Sequence, residues 1–331
     1  MHLQSAAKDL IRLPLLLYRA NFGRHVKNTD DAQLWVLMYH RILPKNDSRH
    51  ASEEPGMIVE PDTFRMHLEW VNRLFTPLKL GEWIQMKKNG DPLPEKACVI
   101  TFDDGWRDNY EYAFPILKET NTPATLFAVS DMLETNRMFW PNRLAHIANH
   151  VEQEQLAREP LLAEQGITGN LRDKETLAQA IAILKSLSDE VIIEALNQME
   201  VRLAVPEPDA SLMTWAELKE MSDSGLVEIG SHTQNHMRLK ENLNAETLTK
   251  EIIESRQQLE SHLGKPVELF CYPNGDVSPL ALTTVQKCYQ AAVTTQMGIN
   301  TSANLSSHQI KRIPLHNDIS NNALKFRARL A

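Results

Sequence analysis

The chain has 331 residues, 42% hydrophobic and 24% charged, with a formal net charge of −8. That length can bury a large core as one big domain or as one domain with an insertion. The acidic balance, with no basic cluster interleaved with aromatics, argues against a nucleic-acid partner. Three cysteines, Cys98, Cys271 and Cys288, form no metal-type pair and no even disulfide framework, which points to a reducing, cytoplasmic compartment.

Residues 1–30 carry the run Leu10-Ile11-Arg12-Leu13-Pro14-Leu15-Leu16-Leu17, followed by Arg19, Arg24 and Lys27. Arginine and proline interrupt it, no small-residue cleavage site follows, and it falls short of a membrane span. It reads as a basic, apolar helical segment that either packs on the domain or lies peripherally on the inner membrane face. A strand-like run at 34–40 ends in Tyr39-His40, which reads either as lining a cleft or, for the histidine, as a structural residue. A helical pattern at 62–74 leads to the strand-like run 97–103, Val99-Ile100-Thr101-Phe102-Asp103, which stops in Asp104 and Gly105. Two adjacent carboxylates at a strand end repel each other and are costly to bury unless a cation or a shared proton compensates. The alternative is a solvated Asp-Asp-Gly turn.

After a helical pattern at 108–119 and a strand-like run at 124–129 the pattern changes. Within 131–213, residues 143–204 are rich in Ala, Leu, Glu, Gln and Lys and read as several helices that interrupt the barrel, with Phe139-Trp140-Pro141 at the entrance and Pro206-Glu207-Pro208 at the exit. Thr214-Trp215-Ala216-Glu217 is a capping box opening the next helix, and Ser224-Gly225 is its natural stop. The run 226–231 then ends in Gly230 and offers His232 and His236. Two imidazoles four apart can converge on one metal from a tight loop. With twelve histidines in the chain the spacing alone is weak, but beside a strand-end Asp-Asp it becomes a candidate Asp-His-His site. One carboxylate and two imidazoles suit zinc, and also cobalt, nickel or iron. Helical 244–263 precedes the strand-like run 267–272, which enters the turn Pro273-Asn274-Gly275-Asp276. Helical 278–289 and strand-like runs at 290–294 and 310–315 follow, the last delivering His316, either a surface residue or a general acid. Cys271 reads as a buried, inert thiol. Trp106 reads either as an aromatic platform for a ligand ring or as a core or lid residue.

Repeated β–α units with the motifs at strand ends fit a parallel barrel with its site at the C-terminal face. The expected division is 1–30 as the N-terminal segment, 31–130 and 214–320 as the barrel, 131–213 as a helical insertion and 321–331 as a C-terminal tail.

Together these residues resemble the polysaccharide deacetylases, the carbohydrate esterases that share the NodB homology domain, in their bacterial envelope and exopolysaccharide branch. Thr101-Phe102-Asp103-Asp104-Gly105 looks like the first motif of that family, which implies Asp103 as base and Asp104 as metal ligand. Ser231-His232-Thr233-Gln234-Asn235-His236 is similar to the second motif and implies both histidines as ligands. Leu315-His316 is similar to the late motif that supplies the catalytic acid, and Leu37-Met38-Tyr39-His40-Arg41 to the branch's opening strand. The family's Arg-x-Pro-Tyr/Phe motif is replaced by Phe270-Cys271-Tyr272-Pro273-Asn274-Gly275, so no arginine stands in the usual place and Arg312 is a substitute candidate. The aspartate-tryptophan motif is not placed in this chain.

The resemblance implies an irregular α/β barrel, often of seven strands, carrying here a helical insertion. It also implies a divalent metal and hydrolytic removal of acetyl from an N-acetylated oligo- or polysaccharide, or from a lipid-linked sugar precursor. Candidate substrate contacts are Trp106, Tyr272, Pro273, Asn274 and Arg312. Alternatives are an O-deacetylase or non-sugar amidase on the same fold, and an inactive carbohydrate-binding relic. The sugar, the metal and the oligomeric state are not specified by these motifs.

Overall fold

The computed structural model describes residues 13–331 apart from Pro55 and Asn242. Seven strands build its centre: β1 (Gln33–Tyr39), β2 (Lys96–Phe102), β3 (Ala124–Ala128), β4 (Val227–Ser231), β5 (Leu269–Cys271), β6 (Ala291–Met297) and β7 (Ile310–Pro314). Each pairs in parallel with the next, and β7 pairs with β1, so the sheet closes into a barrel. Closure is uneven. β1 and β2 stay in register from Gln33↔Lys96 to Tyr39↔Phe102, whereas β4 and β5 meet at Ser231↔Phe270 and the β6–β7 register shifts between Ile310 and Arg312. All seven residues of β1 are buried, as expected for a parallel strand covered on both faces.

Strand periodicity sorts the side chains into two layers. Leu34, Val36, Ala97, Val99, Phe127, Cys271, Ala291, Val293 and Ile310 fill the barrel's inside. Trp35, Leu37, Tyr39, Cys98, Ile100 and Phe102 point outward, into helices that include Pro61–Leu74, Phe114–Thr120 and Ser255–Leu263. Helix Leu80–Asn89, too short to show a clear apolar stripe in the sequence, joins the inner layer through Leu80, Trp83 and Ile84. The expected capping box is present: Thr214 Oγ1 accepts from the Glu217 N–H at 3.2 Å, and Glu217 returns the bond to the Thr214 N–H at 2.8 Å.

Between β3 and β4 the chain forms helices Trp140–His150, Gln153–Leu156, Pro160–Glu164, Lys174–Leu184 and Asp189–Arg202. They pack around a core of their own that includes Leu144, Ile147, Ile181, Ile192 and Leu196. Arg238 ties this unit to the barrel. Its Nε donates to Asp189 Oδ1 at 2.7 Å, and its two terminal nitrogens donate to the carbonyls of Lys185 and Leu187.

The ends of the chain are more structured than their composition suggests. Residues 321–331, expected as a tail, hold helix Ala323–Arg329, capped by the Asn322 side chain. Phe326 and Leu330 are buried against the barrel, and the Trp35 indole donates to the Leu330 carbonyl at 2.9 Å. Phe326 and Leu330, four residues apart, anchor this segment, so it is a packed helix and not a tail. Residues 13–22 are helical with Leu13, Leu15, Leu17, Tyr18 and Phe22 exposed, while the earlier part of the basic, apolar segment lies outside the described residues. No helix among the described residues is long and apolar enough to cross a membrane.

Candidate metal and catalytic site

Alternation along β2 sends Ala97, Val99, Thr101 and Asp103 to the inside of the barrel, and alternation along β7 does the same for Ile310 and Arg312. The two polar ends meet there. Arg312, fully buried, donates from its two terminal nitrogens to Asp103 Oδ1 and Oδ2, each at 2.7 Å. The guanidinium is itself fixed by the Thr294 carbonyl at 2.9 Å, Thr101 Oγ1 at 3.2 Å and Cys271 Sγ at 3.2 Å. Burial alone would raise the Asp103 pKa, but the charge and hydrogen bonds of Arg312 outweigh it and hold the carboxylate below its usual range. Every Arg312 donor group therefore points into the barrel wall. The expectation that Arg312 touches substrate is corrected by this burial; its place is behind Asp103.

Asp104 follows immediately but is aimed elsewhere. Its backbone is left-handed, at φ 76°, a conformation costly for a residue with a Cβ, and Gly105 continues the turn at φ 88°. This reversal lets two neighbouring carboxylates serve one cleft. Asp104 Oδ1 lies 3.5 Å from His232 Nε2 and 3.4 Å from His236 Nε2, and the three donor atoms lie within 4.8 Å of one another. His232 Nδ1 sits 2.8 Å from the Cys271 carbonyl, which fixes the ring with Nδ1–H donating and the Nε2 lone pair turned toward Asp104. Burial lowers the pKa of both imidazoles and keeps them neutral, the form that ligates metal. Burial and then the Asp103 charge push Asp104 well upward, so this carboxylate lacks a compensating cation of the kind Arg312 gives its neighbour. A carboxylate oxygen and two neutral imidazole nitrogens converging in this way form a donor set that fits a divalent ion.

The histidine loop is held by a residue the sequence did not single out. Buried Glu251, on the helical stretch before Ser255–Leu263, accepts from the backbone N–H groups of Gln234 at 3.1 Å and Asn235 at 2.9 Å. Its other oxygen accepts from the Asn235 side-chain amide at 3.0 Å. Thr233 and His236 are both left-handed, at φ 66° and 60°, and these bonds keep the tight loop closed. In the sequence Glu251 is one of many acidic residues on a charged helix, so only burial reveals it.

The cleft above these groups holds about 230 Å³ and is lined on the barrel side by Met38, His40, Tyr272, Asn274 and Thr295. The insertion contributes Phe139, Trp140, Asn142 and Lys185 to the other wall. His40 Nε2 lies 3.8 Å from Asp103 Oδ2, and burial lowers its pKa to about 4 despite that carboxylate. Tyr272 is fully buried, its hydroxyl without a hydrogen-bond partner among the described residues, and Asn274 turns the chain at φ 56°. Pro273 is buried in the turn beside them and is not among the cleft-lining residues. Trp106 lines the cleft floor but is only 2% exposed, so it does not offer the open ring face that a sugar platform needs. His316 stands apart from this cluster: its Nδ1 lies 3.2 Å from Asp318 Oδ2, and its neighbours Asn317 and Asp318 line an adjoining cavity that shares Glu54 with the cleft.

Comparison with known proteins places this arrangement. The family model described as polysaccharide deacetylase matches residues 90–293. The poly-beta-1,6-N-acetyl-D-glucosamine N-deacetylase of Escherichia coli K12 is 32% identical over 91 residues, 27% of this chain and 14% of that protein. The enzyme of the same description from Staphylococcus aureus is 29% identical over 126 residues, 33% of this chain and 43% of that protein. The match thus spans less than half the length of these relatives. Among solved structures, the Streptococcus pyogenes deacetylase PplD aligns with a TM-score of 0.59 at 21% identity, covering 89% of this chain and 97% of that one. A polysaccharide deacetylase from Bacillus cereus, BC0361, aligns with a TM-score of 0.58 at 20% identity, covering 92% and 70%. At such identities the structures establish the shared barrel fold.

Proposed function

Since this chain belongs to the polysaccharide deacetylase family, we propose that it is a metal-dependent hydrolase removing acetyl from an N-acetylated sugar of an envelope polysaccharide or its precursor. The observation that carries this reading is the unequal treatment of Asp103 and Asp104: one carboxylate is paired with Arg312, the other faces two neutral imidazoles. A divalent cation, zinc in the first instance, held by Asp104, His232 and His236 would polarise the amide carbonyl and lower the pKa of water at the site. Asp103, kept ionised and off the metal by Arg312, accepts the proton of the attacking water. The cleft walls Phe139, Trp140 and Tyr272 exclude solvent from the sugar, and Asn274 at the rim offers a polar contact.

A proton must also reach the departing amine. His316 is the proposed acid, at the place of the late motif Leu315-His316, with its Nδ1 3.2 Å from Asp318 Oδ2. A second reading, favoured by position, gives this task to His40, which lines the cleft 3.8 Å from Asp103. Its pKa of about 4 leaves it neutral near pH 7, a disadvantage for an acid that must arrive charged. Comparing His316→Gln with His40→Gln separates the two: the true acid loses the alkaline limb of the pH–rate profile.

The relatives described as poly-beta-1,6-N-acetyl-D-glucosamine N-deacetylases support an N-acetylglucosamine polymer as the substrate to try first. The test is acetate release from N-acetylglucosamine oligomers with and without chelator. Release that stops on chelation and returns with Zn²⁺ supports the reading. Release only from O-acetylated sugars would move it to an O-deacetylase, and no release from either, in protein that binds the oligomers, to a carbohydrate-binding relic. Peripheral membrane contact is supported by the exposed apolar side chains of residues 13–22 beside Arg24 and Lys27, and vesicle co-sedimentation tests it.

A further inference from the structure

We infer that Trp106 is a positioning residue for Asp104 and that the helical insertion reaches the metal site through it; the inference rests on Asp104 being a ligand, as proposed above. The left-handed turn at Asp104 and Gly105 brings Trp106 back beneath the carboxylate. The indole Nε1–H donates to Asp104 Oδ2 at 2.8 Å. A free carboxylate can rotate to present either oxygen; this bond commits Oδ2 and leaves Oδ1 facing His232 and His236 at 3.5 and 3.4 Å.

The indole is clamped from several sides. The Arg41 guanidinium lies 4.0 Å from the ring centroid, and Phe139 meets the ring edge-on at 5.2 Å. Arg41 cannot drift: its Nε and one terminal nitrogen donate to Asp108 Oδ2 at 2.9 and 2.7 Å, and the other donates to Glu53 Oε2 at 2.7 Å. The second oxygen of Glu53 accepts from the Asn142 amide at 3.2 Å, on insertion helix Trp140–His150. The far end of the insertion closes on the same residue. Trp106 bridges Leu212, the Arg107 N–H donates to the Ser211 carbonyl at 3.0 Å, and the Met213 N–H donates to the Gly105 carbonyl at 3.0 Å. Both ends of the insertion thus hold the loop that aims Asp104. An indole N–H spent on a carboxylate and a ring face covered by arginine assign Trp106 to ligand alignment rather than to sugar stacking.

The test is Trp106→Phe in the full chain, which keeps an aromatic ring in the clamp and removes the N–H donor together with one ring of the indole. Zn²⁺ affinity is measured by calorimetric titration of metal-free protein, alongside its thermal unfolding midpoint. Zn²⁺ binding is expected to weaken about 10- to 100-fold, with the metal-free midpoint moving far less than it does in Phe139→Ala, which breaks the packing. Glu53→Gln, which loosens Arg41 and leaves the indole in place, is expected to weaken Zn²⁺ binding by a smaller factor, and carries the test should Trp106→Phe not fold. Wild-type affinity in both variants, in a protein whose His232→Ala variant no longer binds Zn²⁺, overturns the inference while leaving the metal site intact. A wild-type protein that binds no Zn²⁺ would instead remove the premise about Asp104.

Discussion

Asp103 and Asp104 are adjacent, both buried, and carried by the same strand end, yet the fold treats them in opposite ways. Asp103 continues the alternation of β2 into the barrel, where Arg312 compensates its charge. Asp104 leaves that alternation through a left-handed residue and emerges among neutral imidazoles, with no ion pair comparable to Arg312–Asp103 among the described residues. Hence one carboxylate suits proton transfer and the other suits ligation, although nothing in their side chains differs. Backbone geometry and the position of a single arginine make the distinction.

The largest expected effect comes from neutralising the proposed base. Asp103→Asn should lower turnover by about 10²–10⁴-fold while metal binding persists, measured as acetate release and metal content on one preparation. If both were lost together, the two carboxylates would not have the separate tasks assigned to them. Next comes Arg312→Met. It strands a buried carboxylate, so a stability loss of about 3–5 kcal/mol is expected in denaturant unfolding. The Asp103 pKa should also rise, moving the acid limb of the pH–rate profile upward. Glu251→Ala acts on the other half of the comparison: with the histidine loop released, metal affinity should fall about 10- to 100-fold, while the Asp103–Arg312 pair is untouched.

The smallest effect is a pH dependence of the metal-free protein. Burial lowers His40 and His67 to about 4, and also lowers His232 and His236. The unfolded chain, with histidines near their ordinary pKa of about 6.5, then binds more protons than the folded one below that pH. The histidines' share of stability is therefore fullest above roughly pH 6.5 and declines as pH falls toward 4. The buried carboxyls Asp104, Glu53, Asp108 and Glu228, raised by burial, work in the opposite direction as they take up protons. Asp103 is depressed in the folded state, so its share is lost only below the usual carboxylate range, and it should not contribute to this decline. Imidazole NMR resonances of the folded protein that all titrate near their ordinary pKa of about 6.5 would count against neutral, buried histidines.

Much of this was legible in the sequence, for definite reasons. The apolar runs ending in Asp103-Asp104-Gly105, in His232 and in Tyr272-Pro273 were readable as strand ends because parallel strands are buried on both faces and stop sharply at turn residues. The helical composition of 143–204 likewise announced the insertion between β3 and β4. What the sequence left open depends on distances between remote residues. Arg312 stands 209 positions from Asp103, so its pairing shows only when β7 closes the barrel. Glu251 looks like any acid on a solvated helix until the histidine loop folds onto it. Trp106 was open between platform and core because an indole N–H has no partner in a linear sequence; the turn at Asp104 supplies one. The last helix, Ala323–Arg329, spans about two turns, too short for a periodic signal in the sequence.

The most direct measurement is divalent metal content, after reconstitution with Zn²⁺, of the wild-type protein, Asp103→Asn and the double variant His232→Ala/His236→Ala. About one metal per chain is expected in the first two and none in the third. Equal metal in all three, or none in the wild type, would contradict the division of labour between Asp103 and Asp104 on which the proposed hydrolysis depends.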